Sequence, residues 1–185
     1  MESTYDQASA LIDAVLRTSP QLPPKPVLAA VLALLDGAVP DPLVVRYESP
    51  SDQPGTSWEI VALVKGAVVT VAASSPTADW TWDGDPQSPV GSLIARMRPV
   101  REVAYLEVDQ ITDFNDDIRA SPEVDRDPDF DYTAFSGWEY QPRWVLAFRD
   151  GTRVAIQATL RTSTARKECD AIAKSIRSAL VVTGA

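Results

Sequence analysis

Arg143-Trp144-Val145-Leu146-Ala147-Phe148-Arg149-Asp150-Gly151-Thr152-Arg153-Val154-Ala155-Ile156-Gln157-Ala158 is the stretch that decides the fold. Two apolar runs flank Asp150-Gly151, and Asp-Gly between such runs is a strong hairpin signal because both residues tolerate positive φ. A lone hairpin cannot bury its apolar face, so it needs more sheet or a helix against it. The helix follows directly. Ala165, Cys169, Ile172, Ile176 and Leu180 recur at helical spacing, and Arg166, Lys167, Asp170, Lys174 and Arg177 fall on the opposite side. This predicts a helix over 162–181 packed on the sheet.

Upstream the pattern is first helical and then extended. Ala8, Leu11, Ile12 and Val15 share one helical face, and Thr4 with Gln7 forms a capping-box pattern. Pro20, Pro23, Pro24 and Pro26 interrupt the chain, and Pro26 is suited to the first turn of a second helix. Val27–Leu35 is apolar on all sides and stops at Asp36-Gly37. It is expected to be buried, the alternative being a contact between copies of the chain. Leu43–Tyr47, Trp58–Val64 and Ala67–Ala73 read as strands, the last two around a tight turn at Lys65-Gly66. Trp80-Thr81-Trp82 is a candidate short strand with both indoles on one face, either in the core or as an exposed aromatic platform. Ser92–Arg98 and Glu102–Asp109 read as a further hairpin about Pro99-Val100.

The expected architecture is therefore α+β. Residues 1–38 form a helical pair, and residues 42–185 form an antiparallel sheet domain with an insertion at 113–139 and the helix 162–181. Consecutive strands not interleaved with helices favour antiparallel pairing. About seven meandering strands closed by a C-terminal helix resemble the pleckstrin-homology-like barrel. The resemblance is carried by Trp58–Ala73, Ser92–Asp109, Trp144–Ala158 and the final helix. It implies a strongly bent sheet or barrel acting as a binding scaffold for peptides or proteins, not an enzyme. The basic phosphoinositide-reading loop of lipid-binding members has no counterpart, since the first loops carry Asp52 and Lys65 but no basic cluster.

Composition excludes several chemistries. The 185 residues contain no histidine and one cysteine. Ser-His-Asp and Cys-His mechanisms, cysteine-based zinc sites and internal disulfides are therefore absent. Neither GxGxxG, GxxxxGK[ST] nor GxSxG occurs. No cofactor and no metal site is expected. The acidic start, Met1-Glu2-Ser3-Thr4-Tyr5-Asp6, is unlike a secretory leader, and the longest apolar run is half a membrane span. A cytosolic protein is expected. Its Arg-over-Lys bias, 13 to 4, suits a GC-rich bacterial genome.

The net charge of -9 resides in one segment. Glu107–Glu139 holds 11 acidic and 2 basic residues, and the rest of the chain is balanced. Such a segment repels nucleic acid. Within it Asp125, Asp127, Asp129 and Asp131 alternate with other residues and are followed by aromatics, namely Phe130, Tyr132, Phe135 and Trp138. An EF-hand is ruled out: counted from Asp125, positions six and twelve are Phe130 and Ser136, where Gly and Glu are required. Charge with interleaved aromatics suits a surface that docks on a protein with a basic face. The expected function is a non-catalytic protein-binding module, such as an assembly subunit, chaperone or immunity-type inhibitor. Its contacts would come from Asp125, Asp127, Asp129, Phe130, Asp131, Tyr132 and Trp138. Two alternatives remain. One is anion or lipid-headgroup binding by Arg96, Arg98 and Arg101, of which the first two share a strand face. The other is a divalent-metal hydrolase that pairs Asp109, Asp113, Asp116 or Asp117 with the later aspartates. Cys169, on the apolar stripe, is expected to be an inert small hydrophobe.

Overall fold

The computed structural model describes residues 4–50, 54–85, 87–113, 140–160 and 162–183. Two helices, α1 (Thr4–Leu16) and α2 (Lys25–Leu35), precede seven strands. The strands are β1 (Leu43–Glu48), β2 (Thr56–Val64), β3 (Ala67–Ser75), β4 (Ser92–Pro99), β5 (Val103–Asp113), β6 (Tyr140–Phe148) and β7 (Arg153–Ile156). Helix α3 (Ser163–Thr183) closes the chain. All pairing is antiparallel, in a four-stranded sheet β1-β2-β3-β4 and a three-stranded sheet β5-β6-β7. The α+β class is as expected. Among the described residues the strands form these two sheets and no single closed barrel.

Much of β1, β2 and β3 is buried on both faces of the four-stranded sheet, which explains why these strands are so apolar, whereas β4 is largely exposed. Leu43, Val45, Trp58, Ile60, Ala62, Val69 and Val71 point to one side, where they meet Leu11, Val15, Val27, Val31 and Leu35 of α1 and α2. Val44, Val61 and Val68 point to the other side and meet Leu146, Phe148 and Ile156 with Ala165, Cys169, Ile172 and Ile176 of α3. One sheet thus separates two cores, and the stripe predicted for the last helix is the stripe that is buried.

Local chemistry sets the ends of these elements. Pro24 caps α2 and Pro26 lies in its first turn, where a missing N–H costs nothing. Asp36 (φ 44°) and Gly37 (φ 80°) turn left-handed and end it. Val64 pairs with Ala67 across Lys65 (φ 46°) and Gly66 (φ 79°), a two-residue turn with both centres at positive φ. Between β6 and β7 the loop is one residue longer, closed by Phe148 N–H donating to the Thr152 carbonyl at 2.8 Å, and there Gly151 (φ 83°) alone takes the positive φ.

Two expectations are corrected. The segments around Pro99-Val100 do not form a hairpin: β4 pairs with β3, and β5 pairs with β6. Pro99 opens a 3₁₀ turn, Val100–Glu102, that carries the chain from one sheet to the other. Trp80-Thr81-Trp82 is not a strand either, because Asp79 at φ 55° starts a run of turns there. Trp80 is buried and Trp82 is 38% exposed, so the indoles do not share a face. The Trp58 indole donates to the Trp80 carbonyl at 2.8 Å, and Lys25 lies over Trp82 at 5.2 Å.

The open edge of β1 is closed by side chains. The N–H groups of Leu43, Val45 and Tyr47 all point outward and donate to Glu168 Oε2 (3.3 Å), Thr18 Oγ1 (3.1 Å) and Thr159 Oγ1, respectively. Thr159 N–H also donates to the Val45 carbonyl at 2.9 Å. An edge that would otherwise template another strand is thereby blocked.

Candidate functional site

Strand alternation places Arg46 of β1, Glu59 of β2, Thr70 and Ala72 of β3, and Ile94 and Arg96 of β4 on the same face of the four-stranded sheet. No residue of α3 lines this part of the face. It forms the floor of a cleft of about 350 Å³. The opposite wall comes from the smaller sheet: Asp109, Arg143, Val145 and the consecutive residues Thr152–Ala155. Four consecutive residues on one wall mean that the cleft runs along the edge of β7 and not over one of its faces.

The charges in the cleft are unequal in their commitments. Arg46 pairs with Glu59 at 3.3 Å and also with Glu48. Arg143 Nε lies 3.6 Å from Asp109 Oδ1, outside hydrogen-bond reach, and is buried without a hydrogen-bond partner. Arg153 pairs with Glu107. Arg96 is exposed and makes no ion pair among the described residues, since Asp150, whose field it shares, pairs directly with Arg98. The lining mixes these groups with apolar side chains, including Ile94, which is 52% exposed. That composition suits a ligand with an anionic group and an apolar body.

The three arginines singled out in the sequence have three different situations. Arg96 lines the cleft. Arg98 is buried, pairs with Asp150 at 3.0 Å, donates to Thr152 Oγ1 at 3.2 Å and lies 4.4 Å over the Phe148 ring. Arg101 is exposed on the 3₁₀ turn and does not line the cleft. Sequence reasoning did not find Arg46, Arg143 or Arg153, because they converge only once strands distant in the chain are stacked. The local alternation of Arg143, Val145 and Ala147 with Trp144, Leu146 and Phe148 was visible, but not what that face would meet.

Asp125, Asp127, Asp129, Phe130, Asp131, Tyr132 and Trp138 lie outside the described residues, as do Asp116 and Asp117. Their attachment points are described. Asp113 pairs with Tyr140, so β5 and β6 are direct neighbours at the very point where residues 114–139 are inserted. Among the described residues no group of three or more Asp, Glu or Cys side chains is placed to hold a metal ion. Among them, too, no helix is long and apolar enough to cross a membrane. Cys169 is buried, and burial pushes its thiol up to about 12. Such a thiol is a poor nucleophile at neutral pH.

Compared with known proteins, the chain matches no family model, no curated protein and no solved structure.

Proposed function

We propose that the chain is a non-catalytic protein-binding module and that the inserted segment 114–139 is its main contact with a basic partner. One observation carries this reading. Asp113 and Tyr140 are cross-strand neighbours, and an antiparallel pair needs only about two to five residues to turn between its strands. The chain instead inserts 26 residues with eight acidic and two basic side chains and five aromatics. Folding of the β5-β6 pair does not need that length or that charge, and long connections on a rigid scaffold commonly carry function. Two antiparallel sheets with a terminal helix packed against both support the reading of a pleckstrin-homology-like binding framework. The absence of histidine from the chain favours binding over acid–base catalysis.

The test replaces residues 115–135 with a short Gly-Ser turn. Full chain and variant are used as baits in the native cell extract, with capture quantified by mass spectrometry over a salt series. A basic protein should be captured by the full chain alone, and its capture should weaken as salt rises. The thermal midpoints of the two baits should agree within a few degrees. Equal capture by both baits defeats the proposal.

A further inference from the structure

We propose that the open edge of β7 is a second docking site, which takes an extended peptide bearing an acidic side chain as an added strand. This reading is independent of the inserted segment and uses different residues.

The backbone supplies the first argument. Phe148 N–H donates to the Thr152 carbonyl at 2.8 Å. Antiparallel ladders alternate between hydrogen-bonded and non-bonded pairs. With the register Ala147↔Arg153, Leu146↔Val154 and Val145↔Ala155, the bonded pair after Phe148/Thr152 is Leu146/Val154. Arg153 and Ala155 therefore direct their N–H and C=O groups away from β6, towards the cleft. Neither residue's backbone has a hydrogen-bond partner among the described residues. The contrast with β1 is informative, because there each outward N–H is met by Thr18, Thr159 or Glu168. Other strand edges are also open, but the 350 Å³ cavity runs along β7.

Charge supplies the second argument. A strand added to β7 lies above the face that carries Arg96 and Ile94. Arg46, Arg143 and Arg153 each lie within ion-pair distance of a carboxylate, whereas Arg96 makes no ion pair among the described residues and interacts with Asp150 only at longer range. A carboxylate on the incoming strand completes that set, and an apolar neighbour covers Ile94. Main-chain bonds then give affinity, and Arg96 gives selectivity for the acidic residue.

The test uses the full chain and a fluorescent seven-residue peptide of alternating threonine and valine with a central aspartate, beside its asparagine twin. Anisotropy should show the aspartate peptide binding about tenfold more tightly, as one charge-assisted hydrogen bond implies. In Arg96→Gln that preference should vanish while the asparagine peptide binds as before. Amide exchange at Arg153 and Ala155 should slow on binding. Ala155→Pro removes one outward N–H at an edge position where proline is tolerated, and should weaken both peptides at least tenfold. No binding up to millimolar peptide, equal affinity for the twins, or binding that leaves the Arg153 and Ala155 amides unprotected overturns the proposal. Arg96→Gln and the exchange measurement decide it even if Ala155→Pro fails to fold.

Discussion

The guanidinium of Arg98 lies 4.4 Å over the ring of Phe148 and grips Asp150 at 3.0 Å. It thereby ties the edge strand of one sheet to the hairpin of the other. A cation on an aromatic face, shielded from water and held by a carboxylate, has both charge and stem in use. Arg98→Ala should lower unfolding stability by about 2–3 kcal/mol, read as a shift in the urea midpoint. Arg98→Lys should recover part of this, since a point charge cannot reproduce the fork. No loss in Arg98→Ala would show that the two sheets hold together without this tie.

The partner carboxyl gives a pH signature. Asp150 is held below the ordinary carboxylate range, first by the Thr152 N–H at 2.9 Å, next by the Thr152 hydroxyl, and then by Arg98 and Arg96. Desolvation opposes them, by more than either arginine contributes. A carboxyl depressed in the folded state adds stability above its unfolded value of about 4, and that stability is lost as pH falls through the folded value. The stability gap between the parent and Asp150→Asn should therefore be constant from pH 7 to about 5 and close on further acidification. Urea midpoints at a series of pH values read this directly, and a gap that widens in acid would contradict it.

Trp58 is wholly buried, its ring is 4.5 Å from that of Tyr47, and its indole N–H is the donor to the Trp80 carbonyl. Trp58→Phe removes ring volume from the core and leaves that carbonyl without its donor. The expected cost is about 2–3 kcal/mol, with the thermal midpoint as the measurement. A loss below 1 kcal/mol would mean that the Trp80 turn rearranges to satisfy itself.

How much of this was legible in the sequence depended on distance along the chain. The hairpins at Lys65-Gly66 and Asp150-Gly151, the end of α2 at Asp36-Gly37 and the stripe of α3 are decided by residues within a turn or two of one another, and all appear as read. The supposed hairpin at Pro99-Val100 failed because adjacency in sequence did not mean pairing. Val68↔Arg98 and Val103↔Phe148 are the pairs that form, and both depend on where other strands lie. The arginines show the same division. Arg96 and Arg98 share a strand face, as alternation requires, but only the stacked sheets reveal that Asp150 and Phe148 contact Arg98 directly and leave Arg96 without an ion pair among the described residues.

The Cys169 thiol, with folded pKa raised by burial to about 12, should be inert to thiol reagents at pH 8 in the native protein and react at once in urea. The sign of its linkage follows. The unfolded thiol ionises near 8.5 and the folded one far above it, so stability is complete below about pH 8.5 and declines as pH rises towards the folded value. Cys169→Ala lacks this decline. Parent and variant should therefore converge in relative stability between pH 8.5 and 11. Parallel curves over that range would place the native thiol in contact with solvent.

Lys65 occupies the first centre of a two-residue turn at φ 46°, a conformation that a long side chain pays for and asparagine tolerates. Lys65→Asn should raise stability by about 0.5–1 kcal/mol without altering the β2-β3 register. The thermal midpoint reads the gain, and a decrease would mean that the lysine stem makes a contact worth more than the turn preference.

Thr18 is fully buried between α1 and β1, where its hydroxyl accepts from Val45 N–H at 3.1 Å and donates to the Val15 carbonyl at 3.3 Å. Its own carbonyl accepts from Leu160 N–H at 3.0 Å. One residue thus seals the centre of the β1 edge, between Glu168 and Thr159, and joins the N-terminal helix to the segment entering α3. Thr18→Val keeps the shape and removes only the hydroxyl, which strands a buried strand N–H. The cost should be about 1–3 kcal/mol, and amide exchange at Val45 should accelerate more than at its neighbours Val44 and Arg46, whose N–H groups bond to β2. Thr18→Ser, which keeps the hydroxyl, should protect Val45 as the parent does while still losing some packing. If valine were as good as threonine here, the β1 edge would owe its closure to Thr159 and Glu168 alone.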